Sequence, residues 1–228
     1  INFKAMKGRT FGVIGGTGSG ESSLVNLIPR LYDATQGEVL VDGVNVKDYD
    51  IEALRNKVGI VMQKAALFKG TIRENMWMGK KGATDEQIDE ALEISQSKEF
   101  VDSKQGRLDY VIEQGGKNLS GGQRQRLTIA RAIVRKPDVL ILDDSASALD
   151  FATDAALRKA IRGMNNSPTV FIVSQRAASL MYADLIIVLD DGQVAGMGTH
   201  DELLANCEVY KEIYESQFKK ADSEGGVA

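Results

Sequence analysis

Residues Gly15-Gly16-Thr17-Gly18-Ser19-Gly20-Glu21-Ser22 constrain this chain more than any other stretch. They follow an apolar run, Arg9 to Ile14, that reads as a strand. They precede a run from about Ser22 to Leu31 that reads as a helix. Four glycines in six positions allow backbone that bulkier residues resist, so successive N–H groups can turn inward around an anion. The pattern G-x-x-x-x-G-K-[ST] describes phosphate-binding loops of this kind. Every fixed position matches except the lysine, where Glu21 stands. The following helix would add its positive N-terminal end, and the Ser22 hydroxyl, with Ser23 beside it, stands where Mg²⁺ would be met. A glycine-rich turn that holds no ligand also fits these residues; the other motifs decide between the two.

Glu21 works against phosphate binding. A lysine there would neutralise phosphate charge, whereas a carboxylate repels it. At about 4 Å and an effective dielectric near 20, one unit-charge interaction is worth about 4 kcal/mol, so reversing the sign swings the balance by up to roughly twice that.

The rest of the chain alternates strand-like and helix-like runs, the pattern of a parallel α/β sheet. Ile1 to Met6 reads as a first strand, and Glu38 to Val46, with Asp42-Gly43 inside it, as a hairpin. Ile51 to Lys57 reads as a helix, and Val58 to Met62 as a strand. Thr84 to Gln87 has capping-box spacing and starts a helix running to about Gln96. Gly121 to Lys136 reads as a helix that stops at Pro137. Val139 to Leu142 is apolar throughout, as a strand covered on both faces should be. Helices are expected at Thr153 to Met164, Arg176 to Tyr182, Thr199 to Ala205 and Val209 to Gln217. Strands are expected at Thr169 to Val173, Leu185 to Leu189 and Gln193 to Gly198. The resulting fold class is α/β: a P-loop NTPase core with a parallel sheet, a small N-terminal antiparallel β part and an inserted helical subdomain. The core covers about 1–71 and 137–218, the helical subdomain about 72–136, and residues 219–228 read as a frayed tail.

Composition narrows the function classes. The 228 residues carry 28 Lys+Arg against 32 Asp+Glu, a net charge of −4, so the chain is a poor candidate for nucleic-acid binding. One cysteine, Cys207, excludes an internal disulfide and a cysteine metal cluster, and fits a reducing compartment. The lone His200 excludes a multi-histidine site. No apolar run approaches the roughly 20 residues of a membrane span. The chain begins at Ile1 rather than Met and reads as a fragment, with absent parts expected upstream.

Two more motifs complete the set. Leu119-Ser120-Gly121-Gly122-Gln123 precedes a helix, and its N–H groups, the Ser120 hydroxyl and the helix dipole can grip a phosphate. About twenty residues on, the apolar strand ends in Asp143-Asp144, the place where P-loop proteins put an Mg²⁺-linked aspartate. Ser147-Ala148-Leu149-Asp150 follows. In this order, with Gln63 between the phosphate loop and the signature, the motifs resemble the nucleotide-binding domain of an ABC transporter over essentially the whole chain. Gly70 to Asn75 and Val111 to Gly116 resemble the exporter branch, in which such stretches face the coupling helices of the membrane domain.

The resemblance implies ATP and Mg²⁺ as cofactors. Gly15 to Gly20, Glu21, Ser22, Ser23 and Gln63 would hold the nucleotide, and Ser22, Gln63 and Asp143 the metal. It implies a head-to-tail pair of domains, each ATP lying between one chain's loop and the other's signature, on the cytoplasmic face of a membrane. Members that hydrolyse ATP have Lys, Glu and His where this chain has Glu21, Asp144 and Gln175. Asp144 is one methylene short, about an ångström, and such a misplacement can cost roughly 10²-fold. Gln175 can donate a hydrogen bond but carries no charge and shuttles no proton. Ser120, Gly121, Gly122, Gln123 and Asp150, which would serve the partner's site, show no departure. The pattern resembles the degenerate subunit of a heterodimeric bacterial multidrug exporter. A non-hydrolysing structural partner is the alternative. A DNA-repair relative would carry a long coiled-coil insertion, and a P-loop kinase would lack the signature. The family also stacks adenine on an aromatic upstream of the first strand seen here, so weaker adenine binding is expected. Phe3 and Phe11 read as core, Met62, Met76 and Met78 as packing, Trp77 as packing or a membrane-domain contact, and Cys207 as inert. Arg124, Arg126, Arg131, Arg135 and Lys136 read as a solvated face of the signature helix.

Overall fold

Parallel ladders of apolar strands organise the computed structural model, which describes residues 1–145 and 148–224, with side chains to residue 217. In chain order the first elements are β1 (Thr10–Gly15), α1 (Glu21–Asn26), β2 (Leu40–Val41), β3 (Val44–Asn45), α2 (Ile51–Lys57), β4 (Val58–Val61), β5 (Gly70–Thr71), α3 (Ile72–Gly79), α4 (Asp85–Ile94) and α5 (Lys98–Asp102). There follow β6 (Val111–Ile112), α6 (Gly121–Ile133), β7 (Val139–Asp143), α7 (Phe151–Arg162), β8 (Thr169–Val173), β9 (Leu185–Asp190), β10 (Gln193–Gly198), α8 (His200–Asn206) and α9 (Glu208–Glu224). The chain forms two compact units, one of residues 1–54 and 169–228 and one of residues 55–168.

In the first unit β1 lies between β8 and β9 and runs parallel to both, Gly12 facing Ile172 on one side and Ile186 on the other. β10 closes this ladder antiparallel to β9. All six residues of β1 and all five of β8 are buried, which is why these strands are apolar on both faces rather than alternating. Phe11 stacks on Phe171 at 5.3 Å, with the Phe3 ring 6.3 Å from each. The β2–β3 hairpin covers a small cluster of Val41, Val46 and Leu54, and Tyr49 donates to the Val41 carbonyl at 3.0 Å.

In the second unit β4 pairs parallel with β7, Ile60 facing Ile141. The helices α3, α4 and α6 bury Ile72, Met76, Ile88, Leu92, Leu127 and Ile133 completely or nearly so. Thr71, Thr84 and Ser120 each cap a helix, and Glu74, Gln87 and Gln123 return the bond to the cap N–H; each such cap is worth about 1 kcal/mol.

Several sequence expectations are corrected. Ile1 to Met6 forms no strand: nothing pairs with its backbone as a ladder, and a turn bond from Arg9 N–H to the Met6 carbonyl closes it off. Helix α1 stops at Asn26, five residues short of Leu31, because Pro29 has no N–H and the chain tightens into i→i+3 turns before it. Arg176 to Tyr182 holds only a single 3₁₀ turn, Ala177–Ser179. The helix α9 continues to Glu224, so residues 219–224 are helical rather than frayed; residues 225–228 and Ser147 lie outside the described residues. Met76 is fully buried, yet Met62 and Met78 are about half exposed.

The arginines of α6, and Arg135 just beyond its end, are not a solvated face. Arg124 donates to the Leu119 carbonyl at 2.7 Å, Arg126 to Gln96 at 2.6 Å, Arg131 to Ala66 at 2.9 Å, and Arg135 to Gly79 at 2.9 Å and Arg55 at 2.8 Å. A guanidinium carries five donors in a fixed fork and can satisfy loop carbonyls that no ladder reaches. Burial pulls the pKa of Arg126, Arg131 and Arg135 below the ordinary arginine value. Lys136 pairs with Glu90 instead.

Candidate nucleotide site

The phosphate loop lies in the first unit, between the buried strand β1 and α1. Gly18 and Gly20 have φ of 85° and 99°, backbone that only glycine adopts at little cost. Gly15 is required for a different reason: a Cβ there would overlap the Ser19 Oγ and the Leu189 carbonyl. Ser19 N–H bonds the Gly16 carbonyl at 3.0 Å, and Gly192 N–H bonds the Ser19 carbonyl at 3.2 Å, so the strand turn after β9 braces the loop. The Ser19 hydroxyl is buried without a partner. Gly16 and Gly18 face open space, Ser22 and Ser23 are exposed on the first turn of α1, and Thr17 is exposed at the loop tip.

Glu21 does not extend into solvent. It is 6% exposed, and its Oε1 accepts from Gln175 Nε2 at 2.9 Å. Two of the three departures from the hydrolytic pattern therefore touch each other. Gln175 is itself held from behind: Gln217, on α9, donates to the Gln175 carbonyl at 2.7 Å and accepts from Ala177 N–H at 3.0 Å. Arg176 N–H bonds Ser174 Oγ at 3.0 Å. Sequence reasoning missed Gln217, which sits 42 residues from its partner on a polar helix position that nothing marks out.

The remaining site residues belong to the second unit. Asp143 ends β7 and is 5% exposed. Asp144 follows with φ of 44°, and its Oδ2 accepts from Gln63 Nε2 at 3.3 Å. Gln63 and Asp144 are thus brought together across 81 residues. Ser120 caps α6, its Oγ accepting from Gln123 N–H at 3.2 Å, and Ser120 and Gly121 are exposed. Gly122 approaches the Ala148 carbonyl closely enough that a Cβ would stand 3.3 Å from it. Asp150 caps α7, accepting from Thr153 N–H at 2.9 Å and Thr153 Oγ1 at 2.7 Å, and these two bonds hold its pKa below the usual carboxylate range.

The two stretches singled out as exporter-like also meet: β5 and β6 form an antiparallel pair, Thr71 facing Val111. Asn75, 1% exposed, bonds the Phe68 N–H and carbonyl and the Thr71 carbonyl, all at 3.0 Å. The stretch Gly70 to Asn75 stands out in the sequence, but nothing there marks Asn75 as the anchor of Phe68. Phe68 and Val111 stand 51% and 56% exposed. Trp77 donates its ring N–H to the Ala83 carbonyl at 3.0 Å and is 41% exposed. His200 bonds the buried Tyr210 hydroxyl at 2.8 Å and takes no part in the loop; Cys207 is a buried free thiol.

A family model described as ABC transporter matches residues 1–147. The chain belongs to the ABC transporter family. Its fold is the α/β, P-loop type expected, with a mixed and mostly parallel set of strands. It is 44% identical over 98% of its length to the uncharacterized ABC transporter ATP-binding protein YfiB of Bacillus subtilis, covering 39% of that protein. It is 39% identical over 95% of its length to a Staphylococcus aureus protein provisionally named multidrug export ATP-binding/permease protein, covering 38% of it. A solved structure of a bacterial Atm1-family ABC exporter with ATP bound superposes with a TM-score of 0.89 at 32% identity, over 94% of this chain and 38% of that one. The chain thus spans about two fifths of the length of the curated relatives it matches. Among the described residues no helix is long and apolar enough to cross a membrane.

Proposed function

We propose that this chain is the ATP-binding domain of an ABC exporter whose own phosphate loop is degenerate and whose signature serves the site of a second, non-identical nucleotide-binding domain. The carrying observation is the 2.9 Å bond between Glu21 and Gln175. Glu21, where hydrolytic members have Lys, and Gln175, where they have His, satisfy each other, while on the other unit Ser120 and Asp150 cap their helices, accepting from Gln123 N–H and Thr153 N–H. The open glycine backbone and the unpartnered Ser19 hydroxyl fit a bound phosphate chain. By the family resemblance Ser22, Gln63 and Asp143 would supply the hydroxyl, amide and carboxylate oxygens, the hard donors Mg²⁺ takes. Bound Mg²⁺ would offset phosphate charge, which matters more here because Glu21 adds to it.

In this reading Gly15 to Gly20, Ser22 and Ser23 cradle ATP, Asp144 and Gln175 hold water and the terminal phosphate poorly, and the chain's own turnover is negligible. The exposed Phe68 and Val111, fixed by Asn75 and the β5–β6 pair, support docking on a membrane domain at the cytoplasmic face, and the multidrug-export relative supports an exporter role. The test is a mixing assay. ATP turnover is measured for this chain alone and with a cognate subunit carrying intact Lys, Glu and His. Near-zero turnover alone and a clear gain on mixing, abolished by Ser120→Arg in this chain, are expected. Ordinary turnover alone, or no gain despite demonstrated pairing, would reject the reading.

A further inference from the structure

We propose that Glu21 makes this phosphate loop selective for a nucleoside diphosphate over a triphosphate, by standing on the amide that a terminal phosphoryl group would need. The inference rests on the reading of the loop as a nucleotide site and names the ligand that site prefers.

The Glu21 carboxylate is enclosed, and it is engaged by Gln175. The backbone that carries Gln175 is fixed beside Glu21. The Gln175 main-chain carbonyl accepts from Gln217 Nε2, the neighbouring Ala177 N–H is held by Gln217 Oε1, and Arg176 N–H is tied to Ser174 Oγ. With its Cα held there, the Gln175 amide keeps the Glu21 carboxylate within reach. By contrast Gly16 and Gly18 border open space, with nothing within 4 Å of where a Cβ would stand. A diphosphate therefore has room over the glycine loop and needs no amide from Gln175. A triphosphate is penalised twice. It must displace a charge-assisted hydrogen bond, among the stronger bonds in proteins. It also brings its last and most charged group toward a carboxylate where the family pattern has a cation.

The experiment is an equilibrium titration of the full chain with Mg·ADP and with a non-hydrolysable Mg·ATP analogue, repeated on Glu21→Gln and Glu21→Lys. Glu21→Gln keeps size and shape, so it tests charge without disturbing the fold. The wild-type chain is expected to bind the diphosphate about tenfold or more tighter than the triphosphate. In Glu21→Gln that preference falls to within about threefold of parity, chiefly through tighter triphosphate binding, and in Glu21→Lys it inverts. Equal or tighter triphosphate binding by the wild-type chain overturns the selectivity and leaves the nucleotide site standing. Binding of neither nucleotide by the wild-type chain with both bound by Glu21→Lys also overturns it, since the carboxylate then repels every nucleotide alike. Failure of all three proteins to bind either nucleotide overturns the nucleotide-site reading itself.

Discussion

Replacing Glu21 by lysine should convert the loop from a reluctant to a competent triphosphate site. The carboxylate is 6% exposed and fixed by Gln175 at 2.9 Å, so its charge is neither diluted by solvent nor free to swing away. At a contact distance of about 4 Å and an effective dielectric near 20, one unit-charge interaction is worth about 4 kcal/mol. Reversal of sign doubles it to roughly 8 kcal/mol. Counter-ions, bound Mg²⁺ and the cost of enclosing an ammonium remove more than half, leaving about 2–3 kcal/mol, or roughly 30- to 150-fold in affinity. The substitution also deprives Gln175 of its acceptor and frees the amide for a phosphate oxygen. The assay is a titration with a fluorescent ATP analogue at fixed Mg²⁺ and two ionic strengths, with Glu21→Gln as the intermediate case. Hydrolysis should remain within about threefold of wild type, since Asp144 and Gln175 are unchanged. An affinity within about threefold of wild type would refute the electrostatic reasoning. A large rise in turnover would refute the assignment of Asp144 and Gln175 as the weak catalytic parts.

Gly15→Ala should cost about 2–4 kcal/mol in thermal or urea unfolding and abolish nucleotide binding, because the new methyl overlaps Ser19 Oγ and the Leu189 carbonyl. Gln217→Ala removes two bonds to the 175–177 backbone and should lower stability by about 1–2 kcal/mol, a drop of roughly 2–8 °C in Tm by scanning calorimetry. Burial pushes the Tyr210 phenol up to about 12. A folded pKa above the unfolded one means a contribution that is whole below about pH 10 and lost as pH rises from there toward 12. Denaturant titrations of wild type and Tyr210→Phe across that window should show the steeper decline in wild type; parallel curves would show that the phenol does not carry it.

The residues that announce themselves in this sequence are those whose role is local. The glycines of the loop, the Thr84-to-Gln87 box and the apolar run at Val139 each act through neighbours a few positions away, so spacing alone exposes them. The same S/T-x-x-E/Q pattern at Thr71, Ser120 and Thr199 also caps helices. What spacing conceals is long-range and polar. Glu21 and Gln175 are 154 positions apart, Gln63 and Asp144 81, Arg131 and Ala66 65. Glu21, Gln175, Gln63 and Asp144 read as motif members and Arg131 as surface charge, while nothing marks Ala66, and no pattern joins them in pairs. The missing first strand is the converse error: Ile1 to Met6 has the composition of a strand, but composition does not supply a ladder partner.

The arginine bonds of α6 have a mechanical consequence. A helix rises about 1.5 Å per residue, so Arg131 stands about 15 Å along the axis from Gly121. Its guanidinium grips the Ala66 carbonyl, two residues before the exposed Phe68, while Arg124 grips the turn just ahead of Ser120. These two tethers join both ends of the rod to the loops beside them. Cutting the Arg131 tether would leave Phe68 held by Asn75 of α3 and weaken its direct link to α6.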